Sequence, residues 1–249
     1  MSRPGRPEDE AHPRARHPGA PIPSPDRPDG RADHPADAGD APANGAPHPA
    51  HRPGPPSIAW CALAALLVAG TLLAQAVPAT AIDWQPGLAW RQPWRWWSAA
   101  FVHYSPAHLA GNLLATVLVG AYGWAARAPL AMALAWWVAW PLTHLALAGQ
   151  ADLPHYGGLS GLMHAGVAIV NVHLLANGQR AQRFIGGWGA VLLVAKVVSE
   201  TPWRGGIQHS PDWDIAIAPV AHLSGLLAGL ACGVVGEVLR RRLGRAKPA

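Results

Sequence analysis

From Ile58 onward the chain alternates apolar runs with short polar breaks, and six runs approach the roughly 20 residues that a bilayer-spanning helix needs. They lie at about 58–77, 106–126, 130–149, 157–177, 184–200 and 219–239. The pattern predicts an all-α membrane protein with six transmembrane helices. The fifth run is the weakest, being short and interrupted by Lys196. That lysine lies near the far end of its segment, one turn from Glu200, where its stem can snorkel to the interface. It reads as a snorkelling residue, not a buried functional amine.

Residues 1–57 break the pattern. They hold 15 of the 26 prolines, with many Ala, Gly, Asp, Arg and His and almost no large apolar side chains. Such a segment cannot bury enough surface to offset its ordering entropy, so a disordered tail is expected, with no binding role. No apolar stretch of the kind a secretory signal requires falls in its first 30 residues or so. The predicted organisation is therefore a disordered tail at 1–57, a helical domain at 58–240 and a short basic tail at 241–249. Composition agrees with a bilayer. Half of the residues are hydrophobic and 13% are charged, against about 25% charged in a soluble domain.

Charge orients the bundle. Arg127, Arg180, Arg183, Arg240, Arg241, Arg242, Arg245 and Lys247 fall in loops that share one side, predicted to be the cytoplasm. The opposite loops carry Arg91, Arg95 and Arg204 against Asp83, Asp152, Glu200, Asp212 and Asp214, with no basic excess. Both termini are then cytoplasmic and the long first loop, about 78–105, faces outward. The net charge of +5 is largely this asymmetry, so no nucleic-acid partner is implied. Cys61 and Cys232 lie inside predicted helices and read as packing residues, without a disulfide framework or metal spacing.

Under this topology the second, fourth and sixth helices all start on the outer side, with their polar residues in their first turns: His108 and Asn112, Ser160 and His164, His222 and Ser224. Polar groups in lipid are costly and face a protein interior or a water-filled cavity. A shared polar cavity just below the outer surface is predicted. A serine hydroxyl becomes a nucleophile when an imidazole takes its proton, and Ser160 with His222 is the pair that fits. Gly158 and Gly161 remove bulk around the serine, and the helix N-terminus adds free N–H groups near a developing oxyanion. His108 and Asn112, four apart on one face, can both donate to that oxyanion. No carboxylate sits in the outer half of these three helices, so a dyad is expected in place of a triad. His222 is followed by Gly225, Gly229 and Gly233, a spacing that lets helix backbones meet closely.

Gly158-Leu159-Ser160-Gly161 resembles the G-x-S-G motif of the rhomboid family of intramembrane serine proteases. The run from Ala221 to Gly229 resembles that family's A-H-x-x-G-x-x-x-G motif, and His108 to Asn112 its H-x-x-x-N pair. Trp94-Arg95 and Phe101-Val102-His103 are similar to its first-loop elements. Over residues 58–240 the resemblance implies a six-helix rhomboid-like bundle with Ser160 as nucleophile, His222 as base and His108 and Asn112 stabilising the oxyanion. Many rhomboids carry Tyr four residues after the nucleophile, supporting the imidazole, where this chain has His164, which either supports the dyad or packs. Gly-Leu-Ser-Gly-Leu-Met-His is similar to the rhombosortase subgroup. That likeness implies membrane-anchored protein substrates with a C-terminal Gly-Gly sorting tail, cleaved in a bacterial-type inner membrane with the active site open to the periplasmic side.

Taken alone, a transmembrane serine bonds its own backbone or joins helices; matched in depth with His222, it favours catalysis. His103 reads as structuring its loop, His144, His155 and His173 receive no role, and Trp90, Trp94, Trp96 and Trp97 read as interfacial anchors. Thirteen histidines raise a metalloenzyme or metal transporter as an alternative. No H-E-x-x-H occurs, no carboxylate accompanies the membrane histidines, and five of the thirteen fall in the tail, so no metal and no cofactor is expected. A general rhomboid protease with other substrates and a non-catalytic rhomboid-like scaffold are the remaining readings.

Overall fold

The computed structural model describes residues 58–150, 152–209 and 214–245. The tail expected at 1–57, Asp212 and Lys247 lie outside them. Each of the six apolar runs forms a helix: α1 (Ile58–Ala74), then, after two one-turn helices in the first loop, α2 (Ala79–Ile82) and α3 (Arg95–Ser98), the long elements α4 (Pro106–Ala125), α5 (Leu130–Leu142), α6 (Ser160–Asn177), α7 (Arg180–Ser199) and α8 (Pro219–Arg245). Among the described residues no strand forms, only two isolated β-bridges.

Three stretches, Leu130–Gly149, Arg180–Arg204 and Pro219–Gly244, are long and apolar enough to cross a membrane. α1 is apolar but 17 residues long, while α4 and α6 are diluted by the polar residues they carry inward. The chain is a membrane protein. Its outer faces fit that solvent: Leu114, Val117 and Leu118 of α4 and Phe184, Ile185, Trp188, Val191 and Leu192 of α7 are all exposed, an apolar surface that lipid would cover.

Two boundaries differ from the sequence pattern for local reasons. α5 stops at Leu142, because Pro141 near its end removes an N–H and crowds the preceding turn, and a 3-10 turn at Leu145–Gly149 continues the run. α7 starts four residues earlier than expected, at Arg180, because Gln179 and Gln182 exchange side-chain and backbone bonds as a capping box. The fifth run is thus a full 20-residue helix.

α6 is the hub, with ten buried residues. On one side, Trp60 of α1 stacks on Trp136 of α5 at 4.3 Å, and Trp136 Nε1 donates to the Leu162 carbonyl of α6 at 3.0 Å. On the other side the glycine stripe of α8 meets α6 backbone to backbone. A Cβ at Gly225 would overlap the Gly161 carbonyl, one at Gly229 would stand 2.5 Å from the Ala165 carbonyl oxygen, and one at Gly233 would stand 3.3 Å from Ile169 Cα. α7 packs more thinly, burying only Gly186 and Val197.

The first loop is built around buried Asp83. Arg95 reaches its carboxylate at 3.1 Å and its carbonyl at 2.6 Å, His155 Nδ1–H donates to Oδ2 at 2.7 Å and the Tyr104 hydroxyl to the same oxygen at 3.0 Å. Trp90 and Trp94 are exposed as interfacial anchors would be. Trp96 is not: its indole donates to the Ala89 carbonyl at 3.0 Å and packs edge-on against Trp84, inside the loop.

Candidate active site

Ser160 opens α6, and the entry into that helix sets where its hydroxyl points. Trp84 and Tyr156 exchange backbone bonds of 2.7 and 2.9 Å, and the Gly158 N–H donates to the Ala99 carbonyl at 3.0 Å. Gly158 then takes φ +128°, a conformation that side chains rarely tolerate. A Cβ there would lie 2.8 Å from His108 Nε2 and 3.6 Å from Asn112 Nδ2. The two α4 side chains therefore converge on space beside Gly158, two residues before the serine. Their helix is anchored just above, where the Ser105 hydroxyl caps the His108 N–H at 3.1 Å and Pro106 takes the first helical position.

The close α6–α8 seam carries His222 to Ser160. Its Nε2 lies 2.9 Å from Ser160 Oγ, and the residue is 8% exposed, so water competes little for the contact. On its other side, Nδ1 lies 2.7 Å from Glu200 Oε2. An ionised carboxylate only accepts, so Nδ1 carries the proton and Nε2 is left bare to accept from the Ser160 hydroxyl. The arrangement can deprotonate the serine and keep the resulting imidazolium next to a negative charge.

The expectation that no carboxylate would reach this histidine is corrected here. Glu200 comes from the end of α7, a helix the sequence argument left outside the cavity. Lys196, read as a snorkelling residue, is also turned into the site: its Nζ stands 2.8 Å from Glu200 Oε1, 2.9 Å from His164 Nε2 and 3.3 Å from His222 Nδ1. The pairing of Lys196 with Glu200 was foreseen; their common target was not. The one available signal was their position at the far end of an apolar run, level with His222 in the predicted topology.

His164 stacks on His222, with ring centroids 4.4 Å apart and planes 12° from parallel. Its Nδ1–H donates to the Ser160 carbonyl at 2.6 Å, which leaves Nε2 bare and aimed at Lys196. His164, Glu200 and His222 each offer a ligand atom, all within 4.8 Å of one another. Two imidazoles and a carboxylate suit a divalent transition metal.

These groups line a cavity of about 660 Å³, whose lining also includes Met163, Ile207, Ile215 and Ile217. Tyr156, also on its wall, donates to the Gly158 carbonyl at 3.4 Å, and burial pushes its phenol up to about 12. His103 lies outside the cavity lining. It bonds the Phe101 carbonyl at 3.1 Å and its ring sits 4.8 Å from that of His108, with burial lowering its imidazolium to about 4. Ser224 bonds the Leu142 carbonyl at 3.3 Å and is a packing residue. His144 is buried against Trp84, and His173 meets Glu237 at the far end of α6 and α8.

The structure thus gathers Ser160, His222, His108, Asn112 and His164 at one cavity, with Gly158 beside His108 and Asn112 and the Gly161–Gly225 contact joining α6 to α8. The family model described as Rhomboid domain matches residues 90–237, more than half of the chain. No curated protein matches it.

Proposed function

The chain belongs to the rhomboid family of intramembrane serine proteases, and from that membership we propose a serine endopeptidase with Ser160 as nucleophile and His222 as general base. The observation that carries this reading is the unbroken chain of short contacts from Ser160 Oγ through His222 to Glu200. Ser160 Oγ attacks the carbonyl carbon of the scissile peptide as its proton passes to His222 Nε2. The C–N bond breaks as His222 returns that proton to the leaving amine, and water repeats the two transfers to hydrolyse the acyl ester. His108 and Asn112 donate to the oxyanion. Glu200 holds Nδ1–H and stabilises the imidazolium, so the expected dyad gains a third member.

The substrate is a protein anchored in the membrane by a single C-terminal span, cut at a Gly-Gly motif just outside it. Support comes from the rhombosortase-like position of His164 and from Gly111 and Gly157 on the cavity lining, which leave room for a substrate backbone. A bond inside a helix must be unwound before it can be cut, and each glycine lowers that cost by about 1 kcal/mol relative to alanine. In this reading six helices between residues 58 and 240 span a bacterial-type inner membrane, the termini stay cytoplasmic, and the cavity opens to the periplasm.

Two measurements test it. Ser160→Ala abolishes cleavage and labelling by a serine-directed phosphonate probe while thermal unfolding is unchanged; full residual cleavage overturns the mechanism. Substrates differing only in a juxtamembrane Gly-Gly or Leu-Leu then separate a sorting enzyme, which cuts the first, from a general rhomboid protease, which cuts both.

A further inference from the structure

Lys196 occupies an unusual place for an ammonium group. Two of its neighbours, His164 Nε2 at 2.9 Å and Glu200 Oε1 at 2.8 Å, accept from it. The third, His222 Nδ1 at 3.3 Å, carries a proton of its own and repels it. The cage presents two imidazole nitrogens and a carboxylate, a ligand set that zinc accepts. His164 is already prepared for that role, since its second nitrogen donates to a backbone carbonyl, the outer bond that orients a metal-ligating imidazole.

Resting on the Ser160–His222 reading for its consequence, we infer that His164 Nε2, His222 Nδ1 and Glu200 form a reversible inhibitory site for a zinc-like divalent cation, which enters by displacing the Lys196 ammonium. Lys196 can leave because its side chain is 47% exposed and its flexible stem can carry the ammonium to the interface. Its nitrogen stands about 1 Å further from each neighbour than a zinc ion, which binds nitrogen at ~2.0–2.1 Å, so a modest inward movement of the three ligands closes the cage. The thinly packed α7 carries Glu200 and can follow. Binding moves the proton of His222 from Nδ1 to Nε2. Nε2–H then faces Ser160 Oγ as a donor, and the base is lost without any change in Ser160 itself. Imidazole ligands favour zinc, copper, nickel and cobalt over magnesium and calcium.

The test uses the full chain in detergent, stripped of metal and carrying Ser160→Ala. Cobalt(II) is titrated and the visible absorption of tetrahedral cobalt recorded. The expected band weakens at least tenfold in affinity on adding His164→Ala or Glu200→Gln and strengthens at least tenfold on adding Lys196→Met, a gain that misfolding cannot produce. On the enzyme with Ser160 intact, zinc inhibits cleavage, chelation restores it, and Lys196→Met lowers the inhibitory concentration at least tenfold. A band indifferent to all three substitutions, as from histidines elsewhere, overturns the site. Stimulation by zinc overturns the inhibitory role and favours a metalloenzyme. A band that follows the substitutions in a protein without serine-dependent cleavage keeps the site and removes the serine mechanism; intact cleavage without the band removes the site alone.

Discussion

Gly225→Ala tests whether helix contact, and not only the presence of catalytic groups, sets the activity. A Cβ at this position overlaps the Gly161 carbonyl and stands 3.0 Å from Gly161 Cα, so α8 must withdraw from α6 by roughly 1.5 Å to reach ordinary van der Waals separation. His222 lies three residues away on the same helix, and its 2.9 Å contact with Ser160 then opens to more than about 4 Å, beyond hydrogen-bond range. Misplacement on this scale costs about 100-fold in rate, and the overpacking costs about 1–3 kcal/mol of stability. The assay is cleavage of a reconstituted membrane-anchored substrate, with kcat and KM separated, beside thermal unfolding of each variant. Gly187→Ala on α7 is the control, because its Cβ would meet nothing nearer than Leu175 Cδ2 at 3.9 Å. It should keep full activity. Wild-type kcat in Gly225→Ala refutes the reasoning, since the seam would then not govern the serine–histidine distance.

Glu200→Gln keeps the size of the side chain but can hold His222 in the wrong tautomer, so kcat should fall by up to about 10⁴-fold with KM little changed, and Glu200→Asp should recover part of the loss. Asn112→Ala removes one oxyanion donor and should lower kcat by about 10²–10³-fold, measured on the same substrate. A reporter fused after Ala249 should behave as cytoplasmic and one in the 78–105 loop as external. Deleting residues 1–50 should leave the cleavage rate unchanged, because in the proposed topology they lie across the membrane from the cavity.

Period and motif made most of the helices and half of the site readable. The apolar runs carried the helices, while their ends depended on local chemistry that hydropathy does not weigh, such as Pro141 in α5 and the Gln179–Gln182 cap of α7. Ser160, His108 and Asn112 were legible because each sits within a few residues of the glycine or partner that gives it meaning. Gly225, Gly229 and Gly233 were legible as a stripe, and the structure gives the stripe its target. Glu200 was not legible as a partner of His222, since the two are 22 residues apart on helices whose mutual rotation no local pattern encodes. An Lys–Glu pair four residues apart has a sufficient explanation within its own helix, and that explanation hid the site. Trp96 was misread for a similar reason: an aromatic in an interfacial loop looks the same whether it faces lipid or folds back onto Trp84.

The order of these residues along the chain also bears on biosynthesis. Ser160 is made 62 residues before His222, an interval of about 3–12 s at synthesis rates of ~5–20 residues per second. Throughout that time the serine lacks the base that the proposed mechanism assigns to it and is an ordinary alcohol. Under the proposed mechanism a nascent chain halted between α6 and α8 is therefore expected to be inert toward its membrane neighbours, and proteolysis would begin only with the arrival of a later helix. Prematurely terminated products would be inert for the same reason.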